Sequence, residues 1–431
     1  MTLDVWLVAF TLLLIRLPVL LGQQYAWPVR WLTLLPFVLS MALNLARMRR
    51  EPVARLDGRM GLALAAYLAL LSLSFLRALA DLRLPLPVTA DDWMVVAVLG
   101  PFALLAFLSA PTAKRQDQLR LALLAGLLSY LLANLVLHAV GVEHLETIYR
   151  KAFPASMLGL LGLRTSAVLF PMASGINAFG TVAGAAATMS GVLLARRYGD
   201  RRVSLLAAGG VILSLLAVIL TDARASLMWS LASVVAVAWA WPRRTARLQA
   251  TLLLPLLVPL LLVGVFRAVP SGWWEDGWAA LRPLLSISNR DIIWGAVLDE
   301  LRDFRPIHLV GFGAFGQLTS GVSSAYAGLF SGYVHAGLAG AHNAVLQEIL
   351  EIGYLGLGIV LGTLMLALRR LSGDAGGRAT GRASAAILGL LVFSVLAGTL
   401  EASWSPENQE LHTSLLLGLV ACAVSPARDD N

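Results

Sequence analysis

Long apolar runs, separated by short polar connections rich in arginine, set the pattern of this chain. A helix needs about 20 mostly apolar residues to cross the hydrocarbon of a bilayer. On that rule the sequence reads as twelve spans, at roughly 5–22, 28–46, 60–80, 92–111, 120–141, 168–195, 203–220, 225–241, 248–266, 344–368, 384–400 and 411–425. The pattern breaks once. Between 267 and 343 the chain becomes polar and glycine-rich, unsuited to hydrocarbon. The expected fold is all-α: a polytopic membrane protein of about twelve transmembrane helices with a large helical loop between the ninth and tenth. Three units follow, with helices one to nine over 1–266, the loop over 267–343, and helices ten to twelve with a tail over 344–431.

The connections predict an orientation. With the N-terminus inside, Arg47, Arg49, Arg50, Arg55 and Arg59 fall on the cytoplasmic side, followed by Lys114, Arg115 and Arg120. Arg196, Arg197, Arg201 and Arg202 come next, then Arg243, Arg244 and Arg247, then Arg369, Arg370, Arg378 and Arg382, with Arg428 on the tail. That is twenty of the 33 Lys and Arg residues, and no cytoplasmic connection lacks one. Basic residues stay on the cytoplasmic side of short loops, so both termini are expected inside. The loop 267–343 then lies outside, which in a Gram-negative cell is the periplasm.

Composition supports the membrane reading. The chain is 58% hydrophobic and only 13% charged, against about 25% charged for a soluble domain. Its net charge of +8 would suit nucleic acid, but the arginines sit between apolar runs and serve topology, so no nucleic-acid partner is expected. A single cysteine, Cys422, leaves no intramolecular disulfide and no cysteine metal cluster. The first helix has no basic residue ahead of it and no small-residue cleavage site, so it reads as a retained span.

Candidate chemistry concentrates in the loop. Trp273, Trp274 and Trp278 read as interfacial anchors. Ser288 and Asp291 form an expected capping box. Ile292, Ile293, Ala296, Val297, Leu301 and Phe304 then recur at helical spacing, predicting an amphipathic helix. Arg290 would sit in its first turn, where the positive end of the helix dipole already attracts anions, a combination suited to a phosphate. The competing reading is a solvated surface arginine. Further arginines stand at outer ends of spans: Arg164 before the sixth and Arg224 opening the eighth. Arg16 and Arg77 lie deeper, where pairing with carbonyls or carboxylates is the expectation.

Of the six histidines, His342 stands where the polar loop meets an apolar helix, and His335 lies in the Gly-rich run. Asn343 is an expected cap for that helix. Glu348 and Glu351, one and two turns further on, are candidates to orient a neutral imidazole as a base.

Four pieces together resemble the O-antigen ligase/polymerase superfamily, whose fold is GT-C-like. They are Arg164 through Asn177, Arg224 in a short outer turn, Arg290-x-x-x-Trp294, and Gly311-x-Gly313 followed by His342-Asn343 and Glu351-x-Gly353. The resemblance implies a glycosyltransferase of O-antigen ligase type. Its donor would be an undecaprenyl-diphosphate-linked glycan and its acceptor lipid A–core oligosaccharide, joined in lipopolysaccharide biosynthesis at the bacterial inner membrane. It implies that Arg290, Arg224 and Arg164 hold the diphosphate and that His342 serves the transfer, with Asn343, Glu351, Gly311 and Gly313 in support. Diphosphate is already a good leaving group, so arginines that neutralise it and a base for the acceptor hydroxyl would suffice. No Asp-x-Asp motif is present, and neither a metal nor a cofactor is expected. One displacement at the anomeric carbon would invert configuration. Close alternatives are an O-antigen polymerase and a protein O-oligosaccharyltransferase of the same superfamily. From another class, twelve spans also describe a secondary transporter, against which stand the long outer loop and the lack of symmetry between halves.

Overall fold

The computed structural model describes residues 9–21, 54–80, 99–109, 112–144, 153–159, 162–196, 201–240, 245–268, 289–333, 336–374, 381–406 and 408–425, with a few single positions between 32 and 42. The described residues are mainly helical, with a two-residue antiparallel pairing of Arg55–Leu56 with Val424–Ser425 and an isolated bridge between Pro154 and Ser166. Eleven principal helices follow: α1 (Thr11–Leu21), α2 (Gly58–Ala80), α3 (Ala113–Ala139), α4 (Ile176–Ala195), α5 (Arg201–Leu220) and α6 (Arg224–Ala240), then α7 (Leu254–Ala268), α8 (Arg290–Arg302), α9 (Ala344–Asp374), α10 (Gly381–Ala397) and α11 (Gln409–Ala423). Among the described residues six helical stretches are long and apolar enough to cross a membrane: Gly58–Ala80, Lys114–Ala139, Ile176–Ala195, Arg201–Leu220, Ala246–Ala268 and Ala344–Ser372. Three more, Leu99–Leu108, Arg224–Ala238 and Ala383–Ala397, are apolar but shorter. The protein is thus an all-α multi-pass membrane protein. Most of the expected segment 28–46, together with the tryptophans at 273, 274 and 278, Ser288 and His335, lies outside the described residues.

The core is built around the C-terminal helices. Every described side chain from Ala383 to Leu400 is buried, and so is all of α11. The surrounding helices bury one stripe and leave the other side apolar. In α5, Ala207, Gly210, Ser214, Ala217 and Val218 face inward, while Leu205 and Ile212 are 63% and 70% exposed. Such a helix is soluble only against lipid, and the exposed leucines complete the case for a bilayer.

Small residues let the inner helices approach closely, as in other membrane bundles. A Cβ on Gly180 would lie 2.2 Å from the Cβ of Ala223, and one on Gly184 2.5 Å from the Phe393 ring. Polar pairing accounts for the deep arginine Arg16. It donates to the Met172 carbonyl at 3.0 Å and to Gln409 Oε1 at 2.7 Å, and lies 3.2 Å from Glu410.

Basic residues gather at one end of the bundle. Arg370 pairs with Asp57 at 2.9 Å, and Arg120 donates to Ser384 Oγ and the Ala421 carbonyl. At the opposite end the chain from 289 to 343 folds over the helix termini, mostly as short helical turns.

Two glycine-rich pieces join that cap to the bundle. α9 breaks at Gly353, whose φ of +74° and ψ of −177° interrupt the helix. The break frees the carbonyls of Leu350 and Glu351, and these accept the N–H groups of Phe312 (2.7 Å) and Gly313 (3.1 Å). The expected Gly311-x-Gly313 turn is therefore a splice against a broken helix. A Cβ on Gly311 would fall 2.4 Å from Glu351 backbone, and one on Gly353 2.4 Å from Leu309 backbone. Arg77 closes the joint by donating to the carbonyls of Val310 and Gly311.

Candidate functional site

At the capped end lies a cavity of about 580 Å³, lined by Arg224, Arg290, His342, Glu401, Phe330 and Tyr333 among others. Three helices begin at its wall. α4 starts beside lining Asn177, α6 starts at lining Arg224, and α8 starts at lining Arg290. Each N-terminus carries roughly half a positive charge from aligned peptide dipoles. The helix starts therefore add positive backbone charge to a wall where Arg224 stands beside Asp222 and Arg290 beside Glu401.

The backbone at the rim is strained in a way the bundle does not need. Among the described residues four non-glycines have positive φ: Asp222 (54°), Asn289 (64°), His342 (48°) and Phe315 (54°). Asp222 and His342 line the cavity, and Asn289 adjoins Arg290. Such conformations persist where surrounding structure enforces them, and they gather at functional sites.

His342 is held from several directions. Its backbone follows Ala341, whose N–H donates to Gln347 Oε1 at 2.8 Å and whose carbonyl accepts the Trp294 indole N–H at 3.0 Å. The imidazole stacks on Phe330, with centroids 5.5 Å apart and planes 16° from parallel. Its Nδ1 lies 3.2 Å from Glu401 Oε2. An ionised carboxylate only accepts, so Nδ1–H is the donor in this contact, and Nε2 is the lone-pair nitrogen of the neutral tautomer. Burial alone would raise the Glu401 pKa. The Arg290 charge and the contact with His342 outweigh it and hold the carboxyl below its ordinary value. Glu401 is ionised at neutral pH.

Arg290 stands where the helix start was expected, though its surroundings differ. The N-cap residue is Asn289, left-handed and without a side-chain cap bond, while the expected capping residue Ser288 lies outside the described residues. The Arg290 guanidinium donates to Glu401 Oε1 at 2.8 Å and to the Leu400 carbonyl at 3.1 Å. The solvated reading therefore does not hold, since its side chain is only 11% exposed. On α8 the buried face is Ile293, Trp294, Gly295, Val297 and Leu301, whereas Ile292 and Phe304 are exposed.

The other expected residues divide. Arg224 lines the cavity with a side chain 65% exposed and its Nε 3.8 Å from Asp222 Oδ2. Asp222 is itself engaged, accepting the Met157 N–H at 2.7 Å. Arg164 is exposed on an extended segment and does not line the cavity. Asn343 caps α9, accepting the Leu346 N–H at 3.0 Å and donating to the carbonyls of Pro255 and Thr399.

Neither Glu348 nor Glu351 orients the imidazole. Glu351 accepts from Gln347 at 2.7 Å and from Ser405 at 2.8 Å, and so supports His342 at second hand through Gln347 and Ala341. Glu348 is fully buried, with no hydrogen-bond partner among the described residues. Gly311 and Gly313 serve the splice below the cap. Glu401 was missed because it lies in the short connection between α10 and α11. Its one signal is a lone acidic residue in Gly398-Thr-Leu-Glu-Ala-Ser-Trp404, amid apolar neighbours.

The cavity joins three helix starts, two arginines, an oriented imidazole and an aromatic side formed by Phe330 and Tyr333. Chemically, that set is suited to an anion and to accepting a proton beside it. Among the described residues no group of three His, Cys, Asp or Glu side chains is placed to hold a metal ion. No protein-family model and no curated protein matches this chain.

Proposed function

We propose that this protein is a glycosyltransferase of O-antigen ligase type. In this reading twelve spans carry the 267–343 loop on the periplasmic face of the bacterial inner membrane. A preassembled glycan passes there from undecaprenyl diphosphate to a hydroxyl of lipid A–core. The observation that carries the reading is the meeting of three helix starts, Arg224, Arg290 and the Glu401-held His342 around one cavity. A diphosphate fits the positive wall, and the apolar lining at Met228, Ile293 and Leu400 suits the first part of a prenyl chain.

The chemistry is one displacement. The acceptor oxygen attacks the anomeric carbon of the first donor sugar, and the bond from that carbon to the phosphate oxygen breaks. Its electron pair leaves on the diphosphate, where Arg224 and the helix starts meet the growing charge. The hydroxyl proton passes to His342 Nε2, and Glu401 stabilises the imidazolium through Nδ1–H. Attack opposite to departure inverts the anomeric configuration. Arg290 has a double duty, since it holds Glu401 while lining the same wall. Arg164 has no assigned part in this version of the site.

Deletion of the gene followed by gel analysis of surface lipopolysaccharide tests the reading. A ligase leaves bare core at the surface while lipid-linked O-antigen accumulates. Core bearing a single repeat would instead mark a polymerase, and unchanged lipopolysaccharide would remove the assignment.

A further inference from the structure

The aromatic side of the cavity is unused by the chemistry above. Phe330 stacks face to face on His342, and Tyr333 meets the Phe330 ring edge-on with centroids 5.2 Å apart. Phe153, from a separate segment before α4, braces Tyr333 at 6.1 Å. Phe330 is 9% exposed and shielded by these neighbours, whereas Tyr333 is half-buried, and both line the cavity. The three rings His342, Phe330 and Tyr333 thus run in series from the base along one wall. Each step is comparable with the width of one pyranose.

A pyranose presents axial C–H groups on its faces and hydroxyls around its rim. An aromatic ring, with its electron-rich face, receives the C–H side and leaves the hydroxyls free. Such a ring orients a neutral sugar without a charged contact. Arg224 and Arg290 line the same cavity and stand beside the carboxylates of Asp222 and Glu401. His342 separates the two regions, with its Nδ1 edge toward Glu401 and Arg290 and its ring face on Phe330. A sugar lying on Tyr333 would direct a rim hydroxyl toward the imidazole from the side away from the arginines.

We propose that Tyr333, braced by Phe153 and Phe330, is the stacking platform for the acceptor pyranose and selects the sugar that is glycosylated. The inference rests on the transferase reading, but its physical content is sugar binding and can be measured apart from transfer.

The experiment uses the full-length protein in nanodiscs and core oligosaccharide released from lipid A as the probe. Saturation-transfer NMR reports which sugar protons lie against aromatic rings. Ring C–H protons of one pyranose should receive strong saturation in the wild type and in H342A, and lose it in Y333A. Y333F, which keeps the ring, should restore most of it. In the transfer assay Y333A should raise the KM for acceptor about tenfold with little change in the KM for lipid-linked donor. Correct folding of Y333A is read from its unfolding temperature. Undiminished sugar saturation in a folded Y333A, no saturation in the wild type, or a rise confined to the donor KM would each overturn the proposal. Intact saturation in a wild type that transfers no glycan would instead sink the transferase reading and leave the sugar platform standing.

Discussion

His342 and Glu401 act as a pair, and each has a separable test. Replacement of His342 by Ala should lower transfer by about 10²–10⁴, the usual worth of a positioned base, while donor binding persists. R224A should weaken donor binding as well as turnover. R290K should rescue R290A only in part, because an ammonium cannot hold the Glu401 carboxylate and the Leu400 carbonyl in the same fork. His335 lies outside the described residues, and H335A is the control expected to keep activity. Initial rates and donor affinities for each variant check this set, and an active H342A beside a dead H335A would move the base to the other histidine. Glu401 predicts a pH effect. Its folded pKa lies below the ordinary carboxylate value, so its ionised form stabilises the fold above about pH 4.3, and that contribution is lost as pH falls through the depressed value. E401Q should therefore be less stable than wild type at neutral pH, with the gap closing in acid. A gap that stays constant into strong acid would contradict the pairing of an ionised Glu401 with Arg290 and His342.

At the scale of elements the splice between α9 and the cap governs where His342 stands. Gly353 and Gly311 both have positive φ, and a side chain at either would meet backbone at 2.4 Å. G353A and G311A should each destabilise the protein by about 2 kcal/mol or more, and thermal unfolding in detergent reads this directly. N343A removes a cap worth about 1 kcal/mol along with two donors to the carbonyls of Pro255 and Thr399. A wild-type unfolding temperature in G353A would mean that the kink is incidental. The starts of α8 and α9 were legible in the sequence, because polar residues turn to apolar periodicity there. The break at Gly353 was not, since a glycine in an apolar run signals only modest weakening of a helix. The helix begins behind a left-handed Asn289, a backbone conformation that residue spacing does not reveal.

For the whole molecule, apolar run length carried the class of the fold. Lipid makes that rule strict, since an unpaired backbone group in hydrocarbon is costly. The site was legible only where its residues lie close to a helix start, as Arg224, Arg290 and His342 do. Glu401 reaches the cavity from 59 residues further along the chain, and Tyr333, nine residues before His342, follows a run of short turns with no regular period, so no spacing rule connects either to His342. Arg164 shows the converse, a residue singled out by its sequence surroundings that is exposed and does not line the cavity. Orientation has its own test. With Cys422 replaced, a cysteine at position 323 should react with an impermeant thiol reagent once the outer membrane alone is opened. Labelling only after the inner membrane is broken would invert the topology.

The central claim is glycan transfer at the His342 cavity, with arginine and helix-start charge on the diphosphate. Its most direct measurement incubates purified protein in nanodiscs with undecaprenyl-diphosphate-linked glycan and lipid A–core, with and without EDTA. The account predicts glycosylated core in both conditions, with inverted anomeric configuration, and almost none from H342A. No transfer by the wild type, transfer undiminished in H342A, or activity abolished by EDTA and restored by Mg²⁺ would contradict it.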